Sequence, residues 1–535
     1  MARWATATMD RTQILLFNPT LDSMVPADHP VRLFDEILAE MDWASWENFY
    51  IGFGQPAIHP QVVASVLLYG LSQGIRSSRR LEWACGNAVD FMWLAGGRHI
   101  DHSTFCNFRV NFEEPLKNLF RQVGRVAMDL GMIRLNQVAL DGTKVKASSS
   151  RHKTASAVTL HERLAELDKQ VAEMLAQAKA TDQQENDLFG CSHPQEHLPR
   201  ELADIKARQR RLREAFAKVR LKPASEDPKK APRVPVADPQ APVAPNKEGG
   251  FAPNYTPVAA VDAQSGMIVA ADVLEDNDER QAVLGAVDQV QENLGGHPKE
   301  LLGDSGFNSG NNLEGLEQRG IEAYIPSATR QDRADNPARR EAVDQPVPQE
   351  KWDNLPIDTS TRRLCRTAFV YDPANHCYWC PMGKKLLYVG DCRKPHRKEM
   401  TDYQRFRCGA CGNCPLKARC LSKKASVRII DRDRHEPLRE AMDARLRGED
   451  ARQRRGLRSH LSEGTFGTIK HVLGLRQFLL RGLRKVRMEW TWTALTFNLR
   501  KLTHKWAQTR STGMGSVDNR METAEARHKT ELLPA

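Results

Sequence analysis

The 535 residues exceed what one hydrophobic core ordinarily serves, so several structural units are expected. The formal net charge is +11 and the pI about 9.1, a balance that points to a polyanionic partner. The opening MARWATATMDRTQILLF lacks the basic-then-apolar layout of a secretory signal, and no apolar run approaches the ~18 residues that span a bilayer, so secreted and membrane-spanning classes are excluded and a soluble cytoplasmic protein is expected.

Residues 1–132 read as an N-terminal helical domain with a candidate DNA-binding role. HPQVVASVLLYGLSQG (59–74) has helical apolar spacing and ends at Gly74, and SSRRLEWACGNAVDFMWLAGG (77–97) follows with Ser77 or Ser78 as a cap. DHSTFCNFRVNF (101–112) is a further short helix that Ser103 can cap, and PLKNLFRQVGRVAMDLGM (115–132) opens at Pro115 and closes near Gly131. With Arg76, Arg79, Arg80 and Arg109, these helices form either a helix-turn-helix-like DNA reader or a plain bundle.

Residues 133–150 hold the first strand of an α/β core, Val138 to Lys146. Residues 151–221 form a helical-hairpin insertion of coiled-coil type. Leu160, Leu164, Leu167, Val171 and Met174 make one heptad seam, and Leu202, Ile205, Leu212, Phe216 and Val219 make the other. The loop between them carries Cys191, His193 and His197, a trio that a metal could use but that is more often incidental. The stretch 222–254 is Pro-rich, with seven prolines between 222 and 250, and reads as an extended linker.

The core resumes over 255–330. Two β-rich runs flank a turn at Asp262–Gly266, a helix ends at Gly295, KELLGDSG (299–306) is a fourth strand, and a helix and a short fifth strand complete the series. The order predicts an RNase H-like α/β fold, a mixed sheet with flanking helices. Asp141 ends the first strand and Asp304 the fourth. Asp262, Asp272, Asp276 and Asp278 are rivals for the second carboxylate, but Asp262 opens a turn and the others lie at or beyond the far end of the hairpin.

Residues 331–445 are a Cys-rich insertion, and eight of the eleven cysteines lie between Cys365 and Cys420. The Cys377–Cys380 pair and the Cys408, Cys411, Cys414, Cys420 series fit a structural Zn²⁺ site, with Cys380, Cys411, Cys414 and Cys420 as the favoured ligands. An iron–sulfur cluster and reduced structural thiols are the alternatives. Residues 446–506 are a basic helical segment that carries Glu463, and 507–535 read as a disordered tail. From Ile469 to Trp506 there are nine Lys/Arg against one acid, Glu489, interleaved with aromatic residues. That pattern predicts a helix packed on one side and charged on the other.

Two strand-borne aspartates and a helix-borne glutamate are a set that can hold two Mg²⁺ ions against a phosphodiester. LDGTKVKA around Asp141, GDSGF around Asp304, and EGTFGTIK with the following basic segment resemble the motifs of bacterial insertion-sequence DDE transposases, in the subgroup with a Cys-rich insertion between the second Asp and the Glu. SSRRLEWACGNAVDFMWLAGG and DHSTFCNFR resemble that family's N-terminal domain. The resemblance implies metal-dependent DNA cleavage and strand transfer, with Asp141, Asp304 and Glu463 as catalytic metal ligands and two Mg²⁺ that Mn²⁺ can replace. It also implies double-stranded DNA as the partner, at element ends and target, bound by a homodimer. Family members often carry Tyr seven and Arg four residues before the Glu, where this chain has Gly456 and Ser459, with Arg455 and Arg458 nearby. Lys470, seven residues after Glu463, shares its helical face and is a candidate phosphate contact. Lys144, Lys146, Arg476 and Arg481 are further DNA-binding candidates, and for the two lysines a solvated strand end is the alternative.

Overall fold

Alternating strands and helices build the larger of two units in the computed structural model, which describes residues 20–50, 56–150, 152–189, 200–222, 231–245, 250–327, 335–358, 360–396 and 399–511. This α/β unit comprises Ala127–Thr468 and Leu475–Trp490, and a helical unit takes in residues up to Val126, Ile469–Gly474 and the chain from Thr491. Cys191, His193 and His197 lie outside the described residues, as do 512–535 of the expected tail.

The α/β unit is organised around five strands, β1 (Gln137–Gly142), β2 (Phe251–Asp262), β3 (Ile268–Leu274), β4 (Glu300–Leu302) and β5 (Glu322–Tyr324). Their order is β3-β2-β1-β4-β5, with β2 antiparallel to both neighbours and β1, β4 and β5 mutually parallel. This is the RNase H-like arrangement. β2 and β3 form a hairpin because Asp262 accepts bonds from the Ser265 amide and hydroxyl at 2.9 and 2.8 Å, which closes the turn. Parallel strands cannot be joined by a tight turn, so helix Ala282–Leu294 carries the chain from β3 across the sheet to β4, and helix Gly310–Gln318 from β4 to its parallel neighbour β5.

The insertion after β1 is a pair of helices, Ala157–Phe189 and Arg200–Arg220. Leu160, Leu164 and Leu167 pack with Leu212, Ala215 and Val219, as the heptad spacing requires. The described part of the Pro-rich stretch, 231–245 and 250–254, is not the free linker expected from its composition. Val234–Pro235 pairs with Thr154–Ala155, and Val243–Pro245 pairs with the start of β2. Between them, buried Asp238 accepts bonds from the Tyr255 hydroxyl at 2.9 Å and the Gly482 amide at 3.1 Å. Proline suits such edge positions, where no donor is needed on the open side.

The Cys-rich insertion is also more regular than its sequence suggests. Five strands, β6 (Val370–Asp372), β7 (Cys377–Trp379), β8 (Lys385–His396), β9 (Glu399–Cys408) and β10 (Ile429–Arg432), form an antiparallel meander around Tyr378, Leu386 and Phe406.

In the helical unit, His29 and His59 each cap a helix through Nδ1, with proline at the next position supplying a preset φ. Helix His102–Asn111 is capped by Asp101, whose Oδ1 accepts the Ser103 amide at 2.7 Å, rather than by Ser103 itself. The C-terminal helix Leu483–Ser511 departs from expectation in two ways. It continues five residues into the segment read as a tail, and Trp492 to Leu499 are buried on every side. Trp492 lies 5.9 Å from Trp46 and 6.0 Å from Phe108, and Arg500 donates to the Ser72 carbonyl. Over that span it is a central packing helix with no charged face. The expected 446–506 segment is therefore divided between the units. Among the described residues, no helix is long and apolar enough to cross a membrane.

Candidate catalytic site

β1 and β4 pair with a constant offset, Gln137 to Glu300 and Ala139 to Leu302. Asp141 and Asp304 each lie two residues beyond that last pair, at the carboxyl ends of adjacent parallel strands, where open α/β sheets hold their sites. Asp141 accepts the Gly142 amide at 2.8 Å and meets Arg458 at 3.3 Å. Burial pushes its carboxyl above the ordinary value, opposed by the Gly142 amide, the Ser462 hydroxyl and Arg458, and Asp304 adds a like charge. Asp304 caps the turn Ser305–Phe307 by accepting the Gly306 amide at 2.7 Å.

The rivals are occupied elsewhere. Asp262 is buried opposite Val138, at the other end of β1, and also accepts the Leu135 amide at 3.2 Å. Asp272 pairs with Arg487 at 2.8 Å, Asp278 with Arg280 at 2.6 Å, and Asp276 accepts the Asp278 amide.

Glu463 lies on helix Asp450–His471 and is exposed. The face of that helix turned to Asp141 is Arg458 and Ser462, spaced by one turn, and Glu463 is about 100° round the axis from Ser462. Asp304 is near enough to act on Asp141 as a like charge, while Glu463 is exposed on the neighbouring helix. Among the described residues, the one trio of ligand atoms all within 4.8 Å of one another is Glu82, Asp101 and His102, in the helical unit.

Sequence reasoning passed over Glu279, which follows β3 in the turn Glu279–Gln281. A methyl group placed on Gly306 would lie 2.6 Å from Glu279 Oε2 and 3.0 Å from Asp304 Oδ1, and one on Gly142 would lie 3.5 Å from Glu279 Oε1. Burial raises the Glu279 carboxyl, and Asp304 and Asp141 raise it further. No local signal marks Glu279 among the acids of EDNDE; only the sheet order does.

Of the basic candidates, Lys144, Lys146, Arg476 and Arg481 are exposed. The fold brings three of them to one edge of the α/β unit. The Lys146 amide donates to the Arg476 carbonyl at 3.3 Å, the Phe478 amide to the Lys146 carbonyl at 2.8 Å, and Arg481 to the Ser148 carbonyl at 2.9 Å. Lys470 is half-buried on the helix of Glu463 and belongs to the helical unit. Arg76 and Arg109, named above as potential DNA readers, hold backbone carbonyls of Gly474 and Arg76 at 2.9 and 2.7 Å. Beside Asp304, a cavity of about 200 Å³ is lined by Arg454, Arg455, Arg458 and Tyr324. Arg454 is fixed there by Glu300, with both contacts at 2.8 Å.

In the Cys-rich sheet, Cys380, Cys408, Cys411, Cys414 and Cys420 share one apolar cluster, so the fold adds Cys408 to the four favoured positions. A hydrogen bond from the Cys408 thiol brings Cys380 down to about 7 and raises Cys408. Burial raises Cys411, Cys414 and Cys420. The ten described cysteines are free thiols.

The order of the core strands and the paired aspartates at their ends define an RNase H-like α/β protein. Residues 379–503 match the transposase DDE domain, and residues 19–111 match the transposase domain (DUF772). These two matches are consistent with an insertion-sequence DDE transposase. No curated protein sequence matches it significantly.

Proposed function

We propose that this protein is the transposase of an insertion sequence, which binds the element's terminal inverted repeats as a homodimer in the cytoplasm, cuts DNA phosphodiesters and joins the freed 3′-OH ends to target DNA. The observation that carries this reading is the pairing of Asp141 and Asp304 at one level on adjacent parallel strands, in a chain with a transposase DDE domain. Both carboxylates are half-buried, and burial of like charges side by side is unfavourable unless cations neutralise them. The donor set is all oxygen, which suits Mg²⁺ or Mn²⁺. Two such ions, when bound, supply the Lewis acidity that activates water and steadies the leaving oxygen.

The chain's own residues position the DNA. Arg455 and Arg458 present cations beside Asp304, and the Lys146–Arg476 edge and Lys144 offer contacts to the phosphate backbone. Ser462 is buried and close enough to hydrogen-bond Asp141, so its hydroxyl can orient that carboxylate. Glu463 serves as the third carboxylate if its helix turns inward on DNA. Cys380, Cys408, Cys411, Cys414 and Cys420 supply more than the four thiols a structural Zn²⁺ needs.

The exposure of Glu463 favours a second reading, a transposase-derived DNA-binding protein that does not cut. Incubating the full chain and Mg²⁺ with DNA carrying the flanking repeats separates the two. Cut-and-joined product supports the transposase, cut product alone indicates a nuclease, and a complex without cutting indicates the binding protein. Asp141→Asn and Asp304→Asn should abolish cutting and keep DNA affinity; near-normal cleavage by either would remove that residue from the site.

A further inference from the structure

We propose that Glu279 is a third metal-facing carboxylate of the Asp141–Asp304 site, drawn in with those two residues when a divalent cation binds; in this structure their ligand atoms are not all within 4.8 Å of one another. The inference rests on the functional reading above and deepens it.

Three observations support it. First, position: Glu279 enters from the chain just after β3, yet its two carboxylate oxygens reach across the ends of both β1 and β4. The distances to the positions a methyl would take on Gly142 and Gly306, 3.5 and 2.6 Å, place one oxygen against the end of β1 and the other against the turn that follows β4. A side chain at residue 306 would have to displace this carboxylate from its place. Second, partners: among the described residues the Glu279 carboxylate makes no hydrogen bond and no ion pair, and only its backbone carbonyl is used, by the Ala282 amide. Its neighbours Asp278 and Arg280 neutralise one another at 2.6 Å and leave Glu279 out. The capping of the turn is done by Asp278, which accepts the Arg280 amide at 3.3 Å, so a capping role does not explain Glu279. Third, charge: Glu279 is half-buried, the like charges of Asp304, Asp141 and, more weakly, Asp278 act on it, and Lys144 is the cation whose charge acts on it. A half-buried carboxylate beside two others, with no bonded counter-charge, is an unfavourable arrangement that a bound cation relieves. Hard divalent cations take six or more oxygens, and two aspartates alone leave most positions to water and substrate.

The test is Mn²⁺ binding by the full-length protein, followed by the electron paramagnetic resonance signal of free Mn²⁺, on wild type and on Asp141→Asn, Glu279→Gln and Glu275→Gln. Asp141→Asn should lose the site. Glu279→Gln should weaken Mn²⁺ affinity about tenfold or more, whereas Glu275→Gln, the same loss of charge at an exposed position four residues earlier, should leave it unchanged. Glu279→Asp keeps the charge on a shorter stem and should fall between wild type and Glu279→Gln, with circular dichroism reporting that each variant is folded. Wild-type affinity in folded Glu279→Gln overturns this inference alone. Equal Mn²⁺ binding by wild type and Asp141→Asn, or none by wild type, overturns the metal reading of the site and this inference with it.

Discussion

Replacing Arg458 by methionine keeps most of the side chain's apolar stem and removes the one ion pair that Asp141 makes among the described residues. Both side chains are about one-fifth exposed, at 21% and 22%, so the pair is only partly screened by water. At 3.3 Å the gross attraction is roughly 5 kcal/mol at an effective dielectric of 20, most of it offset by desolvation. A charge-assisted hydrogen bond of this kind contributes about 1.5–3 kcal/mol net, and that is the local destabilisation expected for metal-free Arg458→Met near neutral pH. The sign of its pH dependence follows from Asp141. Its folded carboxyl lies above the ordinary 3.8, so the folded state holds the proton more tightly, and burying the ionised form is unfavourable above the folded value. As pH falls through that raised value Asp141 becomes neutral, the Arg458 attraction is lost in wild type too, and the variant's penalty shrinks. Mg²⁺ should shrink it likewise by supplying the missing positive charge. Hydrogen exchange of peptides covering 137–142 and 450–468 reads this directly. A loss of protection that is the same at acid and neutral pH, and with and without Mg²⁺, would show that Arg458 acts by packing and refute the electrostatic account.

Asp238→Ala should destabilise the α/β unit by about 2–4 kcal/mol, because the Tyr255 hydroxyl and the Gly482 amide both lose a buried acceptor; an unchanged urea midpoint would show that water replaces the carboxylate. In reduced, metal-free protein Cys380 should be the first thiol of its cluster alkylated by iodoacetamide. Its rate should drop as pH falls through about 7 while the neighbouring thiols stay slow, and uniform rates would contradict the Cys408–Cys380 hydrogen bond. Lys146→Ala and Arg476→Ala should each lower the log–log salt slope of DNA binding by about one unit, equally for repeat and unrelated DNA. Unaltered slopes would take that edge out of the DNA interface.

Much of this protein is legible in its local patterns. The heptad spacing from Leu160 places the helical hairpin, the Asp262–Gly266 turn places the β2–β3 hairpin, and the apolar runs before Asp141 and Asp304 mark strand ends. Those features depend on residues a few positions apart, whose periodicity and turn chemistry act before any distant contact forms. The pairing of Asp141 with Asp304 follows once the strand order is known, because parallel strands in register bring residues two beyond the last pair to one level.

The remaining features depend on contacts between distant parts of the chain. Composition alone makes 222–254 a linker, but Asp238 and Val243–Pro245 are ordered by strands and loops elsewhere in sequence. Charge and aromatic content make the C-terminal helix look amphipathic, yet Trp492 to Leu499 are buried because Trp46 and Phe108 pack against that helix. Glu279 and Arg458 carry no local mark that separates them from neighbouring acids and bases. Their place beside Asp141 is set by the direction in which β3 and helix Asp450–His471 deliver them, and side-chain chemistry read along a chain contains no information about that direction until the sheet has closed.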